Sequence, residues 1–298
     1  MFAMKEHQGA SSGSAGTYRG RLAPSPTGFL HLGHARTFWK AQQRARERDG
    51  VLVLRNEDLD PARSRSEFAA AMSEDLRWFG FDWQEGPDCG GPFGPYVQSQ
   101  RLDLHREAFA KLRAGGWVYP CFCSRKDVQR ALQAPHQGDE EPVYPGTCRP
   151  ANGDMGSIGK REMQQSARPP NWRFRVPDRE VIAFHDLGLR PQAFTAGRDF
   201  GDFIVWRHDD VPSYQLAVVV DDAEMGITEV VRGADLLLST ARQILLFRAL
   251  GLRRPEFFHC PLMLDQHGVR LAKRYDALSL RALRESGETP EGIRDRWE

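Results

Sequence analysis

At 298 residues, 40% hydrophobic and 27% charged, the chain has the composition of a water-soluble globular protein with one large core or two small ones. A net charge of +1 excludes a global attraction to nucleic acid, so any RNA contact has to use local basic patches. No window is apolar enough to span a membrane, and five unevenly spread cysteines argue against a disulfide framework and for a reducing compartment, the cytoplasm.

Residues 1–17 are small and polar, only Gly, Ala and Ser from Gly9 to Gly16, and read as a disordered tail without the apolar core of a signal peptide. A strand then begins near Tyr18, breaks on Pro24, Pro26 and Gly28, and restarts as a helix from about Gly33 to Arg48. Such a strand–loop–helix points backbone N–H groups into the loop, where an anion can sit. His31 and His34 stand at this entrance with Gly33 between them, placed to donate hydrogen bonds to phosphate oxygens. An isolated H-x-G-H is equally compatible with a helix cap carrying two surface histidines.

Val51–Arg55 reads as a buried parallel strand ending in Asn56-Glu57-Asp58-Leu59-Asp60-Pro61. Acidic residues at a strand's C-terminal end lie where open α/β sheets bind ligands. Glu57 could accept from a substrate ammonium and Asp58 or Asp60 could orient neighbours, although spacing alone favours an acidic turn with Pro61 opening a helix. Ser66–Phe79 is an amphipathic helix, and Trp78-Phe79-Gly80-Phe81-Asp82-Trp83 closes the core beneath it. Gly90–Pro95 is a loop, and Gln98–Arg101 leads into a helix ending at Ala114-Gly115-Gly116. The order β-α-β-α-α fits the first half of a doubly wound nucleotide-binding sheet.

The style changes at Tyr119. Cys121-Phe122-Cys123 is followed, after a Gln/Pro/Gly-rich insertion, by Tyr144-Pro145-Gly146-Thr147-Cys148. Three thiolates need one more ligand for a closed tetrahedral zinc site, while three free buried cysteines fit the spacing as well. Cys89 and Cys260 have no partners at metal spacing. After a polar linker at Gly153–Pro170, Asn171–Val176 alternates as a strand, Val181–Asp186 could pair with it, and Arg198–Arg207 returns towards the sheet. The apolar run Pro212–Asp222 fits a helix or a strand. Gly226–Leu236 is a strand carrying Arg232, whose fork could clamp a carboxylate. Spacing alone favours a surface arginine in a turn. Leu236–Leu250 is a helix and Pro255–Leu264 a last strand. A glycine turn then precedes the basic run Arg270-Leu271-Ala272-Lys273-Arg274, with a short helical pattern at Ser279–Arg284.

The run R-x-A-P-S-P-T-G-x-L-H-x-G-H, fourteen positions from Arg21 to His34, resembles the signature of class I aminoacyl-tRNA synthetases of the glutamyl/glutaminyl branch. R-x-E-D-x-D at Arg55–Asp60 resembles the second block of that branch. The contexts of Tyr214 and Arg232 resemble those of the tyrosine and arginine that hold its amino acid. R-L-A-K-R resembles its K-M-S-K-S loop, with Arg270 in place of the first lysine and Ala272 in place of serine, from which slower activation is expected. C-x-C…Y-x-x-x-C resembles the zinc site of the glutamyl-queuosine tRNA(Asp) synthetase subfamily, in which a tyrosine oxygen is the fourth ligand.

The resemblance covers roughly Tyr18 to Ser286 and implies an α/β fold: a Rossmann-type parallel sheet with an inserted zinc-containing acceptor-binding subdomain and no anticodon-binding domain. The expected division is 18–118 and 201–264 for the two catalytic halves and 119–200 for the insertion. The loop and a helical segment follow at 265–298. It implies Arg21, Ala23, Ser25, Glu57, Tyr214 and Arg232 around L-glutamate, with Arg21 or Arg232 on the side-chain carboxylate. A substrate amide would not need a second cation. ATP with Mg²⁺ would lie on His31, Gly33, His34 and Arg270–Arg274, with His31, His34 and Lys273 catalytic. Cys121, Cys123, Tyr144 and Cys148 would hold one structural Zn²⁺. The implied reaction is glutamate activation and transfer to queuosine in tRNA(Asp), by a monomer. A truncated glutamyl-tRNA synthetase charging the 3′ end and a silent tRNA-binding paralogue are the alternatives.

Overall fold

A computed structural model describes residues 17–124, 126–128, 143–150, 168–262 and 279–297. Residues 1–16 of the expected 1–17 tail and the basic run Arg270–Arg274 lie outside the described residues. The first elements are β1 (Arg19–Leu22), α1 (Leu32–Arg46), β2 (Val51–Leu54), α2 (Ser66–Phe79), α3 (Leu102–Ala114) and β3 (Val118–Cys121). Next come β4 (Asn171–Phe174), β5 (Val181–Asp186), β6 (Arg190–Thr195), β7 (Phe203–Trp206), α4 (Tyr214–Glu224) and β8 (Glu229–Gly233). They are followed by α5 (Leu237–Leu250), β9 (Glu256–Cys260), α6 (Leu280–Glu285) and α7 (Pro290–Arg294).

Three sheets organise these elements. β1 and β2 are parallel, with Arg21 opposite Val53. β8 and β9 are parallel, with Arg232 opposite His259. The two parallel units adjoin where the Thr228 N–H donates to the Arg19 carbonyl at 2.9 Å. β5 joins the free edge of β9 in parallel through Asp186 opposite Phe257, and β6 closes that edge, giving the order β6-β5-β9-β8. β3, β4 and β7 form a separate antiparallel sheet. The expected pairing of Val181–Asp186 with Asn171–Val176 is therefore wrong. β5 turns back on β6 in a tight antiparallel hairpin, while β4 is occupied on both edges by β3 and β7.

Two cores explain which helices were legible. One lies under α1, β1, β2 and α2, with Leu22, Leu54, Leu76, Phe79 and Phe81 buried. α2 shows its apolar stripe because its far face meets solvent, and it stops at Gly80, whose φ of 93° suits only glycine without strain. The second core surrounds α4 and α5. α4 buries Leu216 to Asp222 without interruption, so the 3.6-residue alternation that would mark a helix is absent from its sequence. Among the described residues no helix is long and apolar enough to cross a membrane.

Candidate active site and cysteine cluster

A cavity of about 1360 Å³ opens over the C-terminal ends of β1 and β8 and the start of α1. Arg21, Ala23, Ser25, His31, Gly33, His34, Glu57, Tyr214 and Arg232 all line it, although they come from opposite ends of the sequence. Cys123 and Tyr144 reach the same cavity from the cysteine side.

At the entrance of α1, His31 is the helix cap: its Nδ1 accepts the Gly33 N–H at 3.1 Å, which places the ring proton on Nε2 as an outward donor. The His31 and His34 rings stack with centroids 3.7 Å apart. Burial, and then the neighbouring His31, push His34 down to about 3, and burial lowers His31 as well. Both rings are neutral at pH 7. No acidic side chain occupies the first turn of α1, so its free N–H groups and these two imidazoles leave the positive end of the helix open to an anion. A Cβ on Gly33 would lie 3.1 Å from His31 Cε1, so the glycine lets the ring cap the helix without crowding.

Beside it, Arg55 is wholly buried, with Asp222 at 2.8 Å and Glu57 at 3.0 Å. Burial opposes its charge, but the Asp222, Glu57 and Asp221 carboxylates more than compensate and hold it protonated. Burial raises the Glu57 carboxyl, against the pull of Arg55 and Arg21. Both Arg55 hydrogen bonds to Glu57 end on Oε1, which leaves Oε2 without a hydrogen bond among the described residues. Asp58 has a structural task instead, accepting from the Ser99 N–H at 2.8 Å and the Ser99 hydroxyl at 2.7 Å. Asp60 pairs with Arg63 at 2.7 Å.

Arg21 donates from Nη1 to the Val231 carbonyl at 2.8 Å, and its buried Nε makes no hydrogen bond. Arg232 is 4% exposed, yet every hydrogen bond it makes among the described residues ends on a neutral group. These are Tyr214 Oη at 3.4 Å, Thr240 Oγ1 at 2.7 Å and His259 Nε2 at 3.1 Å. A buried guanidinium held this way keeps its charge available to an anion entering the cavity. Desolvation, and then the nearby Arg21, lower its pKa against the pull of Tyr214 and Asp222.

At the other end, the Sγ atoms of Cys121, Cys123 and Cys148 lie within 4.8 Å of one another. Tyr144 Oη is 3.4 Å from Cys121 Sγ and 3.7 Å from Cys123 Sγ. A tetrahedral ion with Zn–S near 2.3 Å needs S···S edges of about 3.8 Å, so the donor set fits zinc in both number and spacing. Hydrogen bonding from Cys148, opposed by burial and aided by Tyr144 and Arg173, lowers the Cys121 thiol below its usual range. Arg173 donates from Nε to Cys121 Sγ at 3.2 Å and stacks 3.8 Å over the Tyr144 ring. Gly201 packs against the backbone of Tyr144, where a Cβ would meet the Tyr144 nitrogen at 2.9 Å. Cys89 is exposed and Cys260 buried, both apart from this cluster.

The family model "tRNA synthetases class I (E and Q), catalytic domain" matches residues 17–295. The chain belongs to this family. Among its relatives, the Glutamyl-Q tRNA(Asp) synthetase of Symbiobacterium thermophilum is 52% identical, over 92% of this chain and 83% of that protein. The protein of the same name from Nitratidesulfovibrio vulgaris is 50% identical, over 90% and 82%. Glutamate–tRNA ligase 2 of Nitrosococcus oceani is 42% identical, over 92% of this chain and 57% of its own length. The crystal structure of glutamate–tRNA synthetase from Elizabethkingia anophelis superposes with a TM-score of 0.76 at 30% identity, over 87% of this chain. The chain spans 53% of that synthetase's length. The α/β fold with parallel strands under the cavity is thus the class I synthetase catalytic fold.

Reasoning from the sequence missed Asp186, Thr240, His259 and Arg173, and the enclosure of Arg55 by Asp221 and Asp222. Asp186 carried a usable signal, because it ends a strand as an acidic residue just as the Glu57 block does. The others have no local signature: a histidine inside β9 or a threonine inside α5 reads as ordinary packing.

Proposed function

We propose that this chain activates L-glutamate with ATP and transfers it to the queuosine base of tRNA(Asp). The observation that carries the reading is Arg232, a buried cation with neutral partners, facing the same cavity as Arg21, Glu57 and the His31–His34 helix entrance. A substrate with two carboxylates and an ammonium matches these charges. Arg21 and Arg232 take the side-chain carboxylate, and Glu57 Oε2 takes the ammonium. An α-carboxylate oxygen attacks the α-phosphorus of ATP, and pyrophosphate leaves. His31 Nε2–H, His34 and the α1 N–H groups stabilise the charge growing on the phosphate oxygens, and Lys273 is assigned the same task. Mg²⁺ bound with ATP would offset phosphate charge. A hydroxyl of the queuosine cyclopentene-diol then attacks the glutamyl carbonyl carbon, releasing AMP and the hydroxyl proton.

The 52% and 50% identical relatives carry the Glutamyl-Q tRNA(Asp) synthetase name, and the cysteine–tyrosine arrangement supports the same acceptor. Cys121, Cys123 and Cys148, with the Tyr144 oxygen, would hold a structural zinc pinning the 119–200 segment over bound RNA in the cytoplasm. Charging of the tRNA 3′ end is the second reading, favoured by the 42% identical glutamate–tRNA ligase. Labelled glutamate with ATP is offered to tRNA from cells that make queuosine and from cells that lack it. Label on the queuosine-containing pool alone is expected. Equal labelling means 3′ charging, and label on neither pool means an inactive paralogue.

A further inference from the structure

Behind Arg232 lies a chain of buried groups that does not line the cavity. Arg232 Nε donates to His259 Nε2 at 3.1 Å, so that nitrogen is the acceptor and the imidazole proton sits on Nδ1. His259 Nδ1 is 2.5 Å from Asp186 Oδ2, and both residues are fully buried. Asp186 cannot swing away from this task. Its Oδ1 accepts the backbone N–H groups of Gly188 at 3.0 Å, Leu189 at 2.7 Å and His259 at 3.2 Å. Gly188 seats the β5–β6 turn directly on β9, where a Cβ would fall 2.3 Å from the His259 carbonyl oxygen.

We propose that Asp186 and His259 are positioning residues for glutamate recognition. Asp186 fixes His259 as the Nδ1–H tautomer, and the neutral Nε2 acceptor then aims the Arg232 fork into the cavity. The inference rests on the reading of Arg232 as a ligand of a glutamate carboxylate. A carboxylate bonded directly to Arg232 would orient it equally well, but it would neutralise the cation and compete with the substrate. An imidazole interposed between the two charges orients the fork and leaves its charge for the ligand. The same arrangement favours glutamate over glutamine, because only a carboxylate offsets the buried cation.

The test is glutamate-dependent ATP–pyrophosphate exchange in the full chain. In Asp186→Asn the amide oxygen keeps the three backbone bonds, while the amide N–H donates to Nδ1 and drives the proton to Nε2, against Arg232. The expected result is a glutamate KM raised roughly 10- to 100-fold, with the ATP KM within about twofold of the parent. His259→Gln keeps a neutral acceptor and restores most of the affinity lost in His259→Leu. In the His259→Gln background, Asp186→Asn has little further effect, because no tautomer remains to be controlled. An Asp186→Asn variant that folds and leaves the glutamate KM unchanged, or raises both KM values alike, overturns the proposal. Arg232→Gln, measured alongside, separates the two layers. If it raises the glutamate KM and Asp186→Asn does not, only the positioning role fails; if Arg232→Gln itself has no effect, the glutamate reading fails with it. Should Asp186→Asn not fold, ¹⁵N-histidine NMR of the unaltered protein decides: an Nε2–H tautomer or an imidazolium at His259 near pH 7 overturns the proposal.

Discussion

The two ends of the cavity are built on different principles. At the Arg232 end, Tyr214 from α4, Thr240 from α5 and His259 from β9 surround the β8 cation with neutral acceptors, behind which Asp186 of β5 is locked by backbone N–H groups. Folding alone sets that geometry, and only the ligand's charge is left to supply. At the cysteine end the supporting core is small, with Tyr119, Cys121, Val128 and Tyr144 as its buried members. There three sulfurs and a phenol converge, and what would hold them together is an ion. One end is preorganised by packing; the other would be completed by coordination. A synthetase that must place a small amino acid accurately and also seat a large RNA has use for both.

Breaking the packed end should give the largest effect. Arg232→Ala leaves Tyr214, Thr240 and His259 without their shared donor and removes the carboxylate partner. Glutamate-dependent exchange is expected to fall roughly 10²- to 10³-fold, with zinc content unchanged. Breaking the coordinated end gives the converse pattern. Cys148→Ser, or prolonged chelation, should release about one zinc per chain by metal analysis and lower Tm by roughly 5–10 °C, with the glutamate KM little altered. A variant that retains its Tm and whose parent holds far less than one zinc would count against the metal site.

Acid sharpens the comparison from the packed side. Burial first, and then Arg232, push His259 from 6.5 down to about 4, against the pull of Asp186. The unfolded chain therefore binds more protons than the folded one between these values, so stability is present above pH 6.5 and is lost as pH falls towards 4. Between pH 7 and pH 5 the loss from His259 is about 2 kcal/mol, read as a lower urea midpoint at the same slope. His259→Gln should flatten that dependence. The smallest effect is expected at the helix entrance. Gly33→Ala places a methyl 3.1–3.2 Å from the His31 ring, which must shift by a few tenths of an ångström. A rise of about three- to tenfold in the ATP KM is expected, with the glutamate KM unchanged; a shift in the glutamate KM instead would misplace the phosphate site.

Much of the catalytic half was legible from residue order alone. The Pro24–Pro26–Gly28 break and the histidine pair marked the entrance of α1, and the apolar stripe of α2 marked its buried face, because such signals are written within one or two turns of chain. The helix at Tyr214–Glu224 was not legible, since a helix packed on all sides loses its alternation. Nor was the placement of β5, whose partner β9 lies about seventy residues further along.

By itself the sequence determined the family signature, the strand–loop–helix that can receive an anion, the acidic Glu57 block and the cysteine spacing. All of these are local patterns of backbone preference and ligand type. Only the tertiary structure decided that Arg232 would be buried rather than on a surface turn, that its acceptors would be neutral, and that Asp186 would reach it through His259. Those outcomes depend on which strands become neighbours and on which polar groups are removed from water together. Burial is what gives a single guanidinium its electrostatic weight, and burial belongs to the packed chain as a whole.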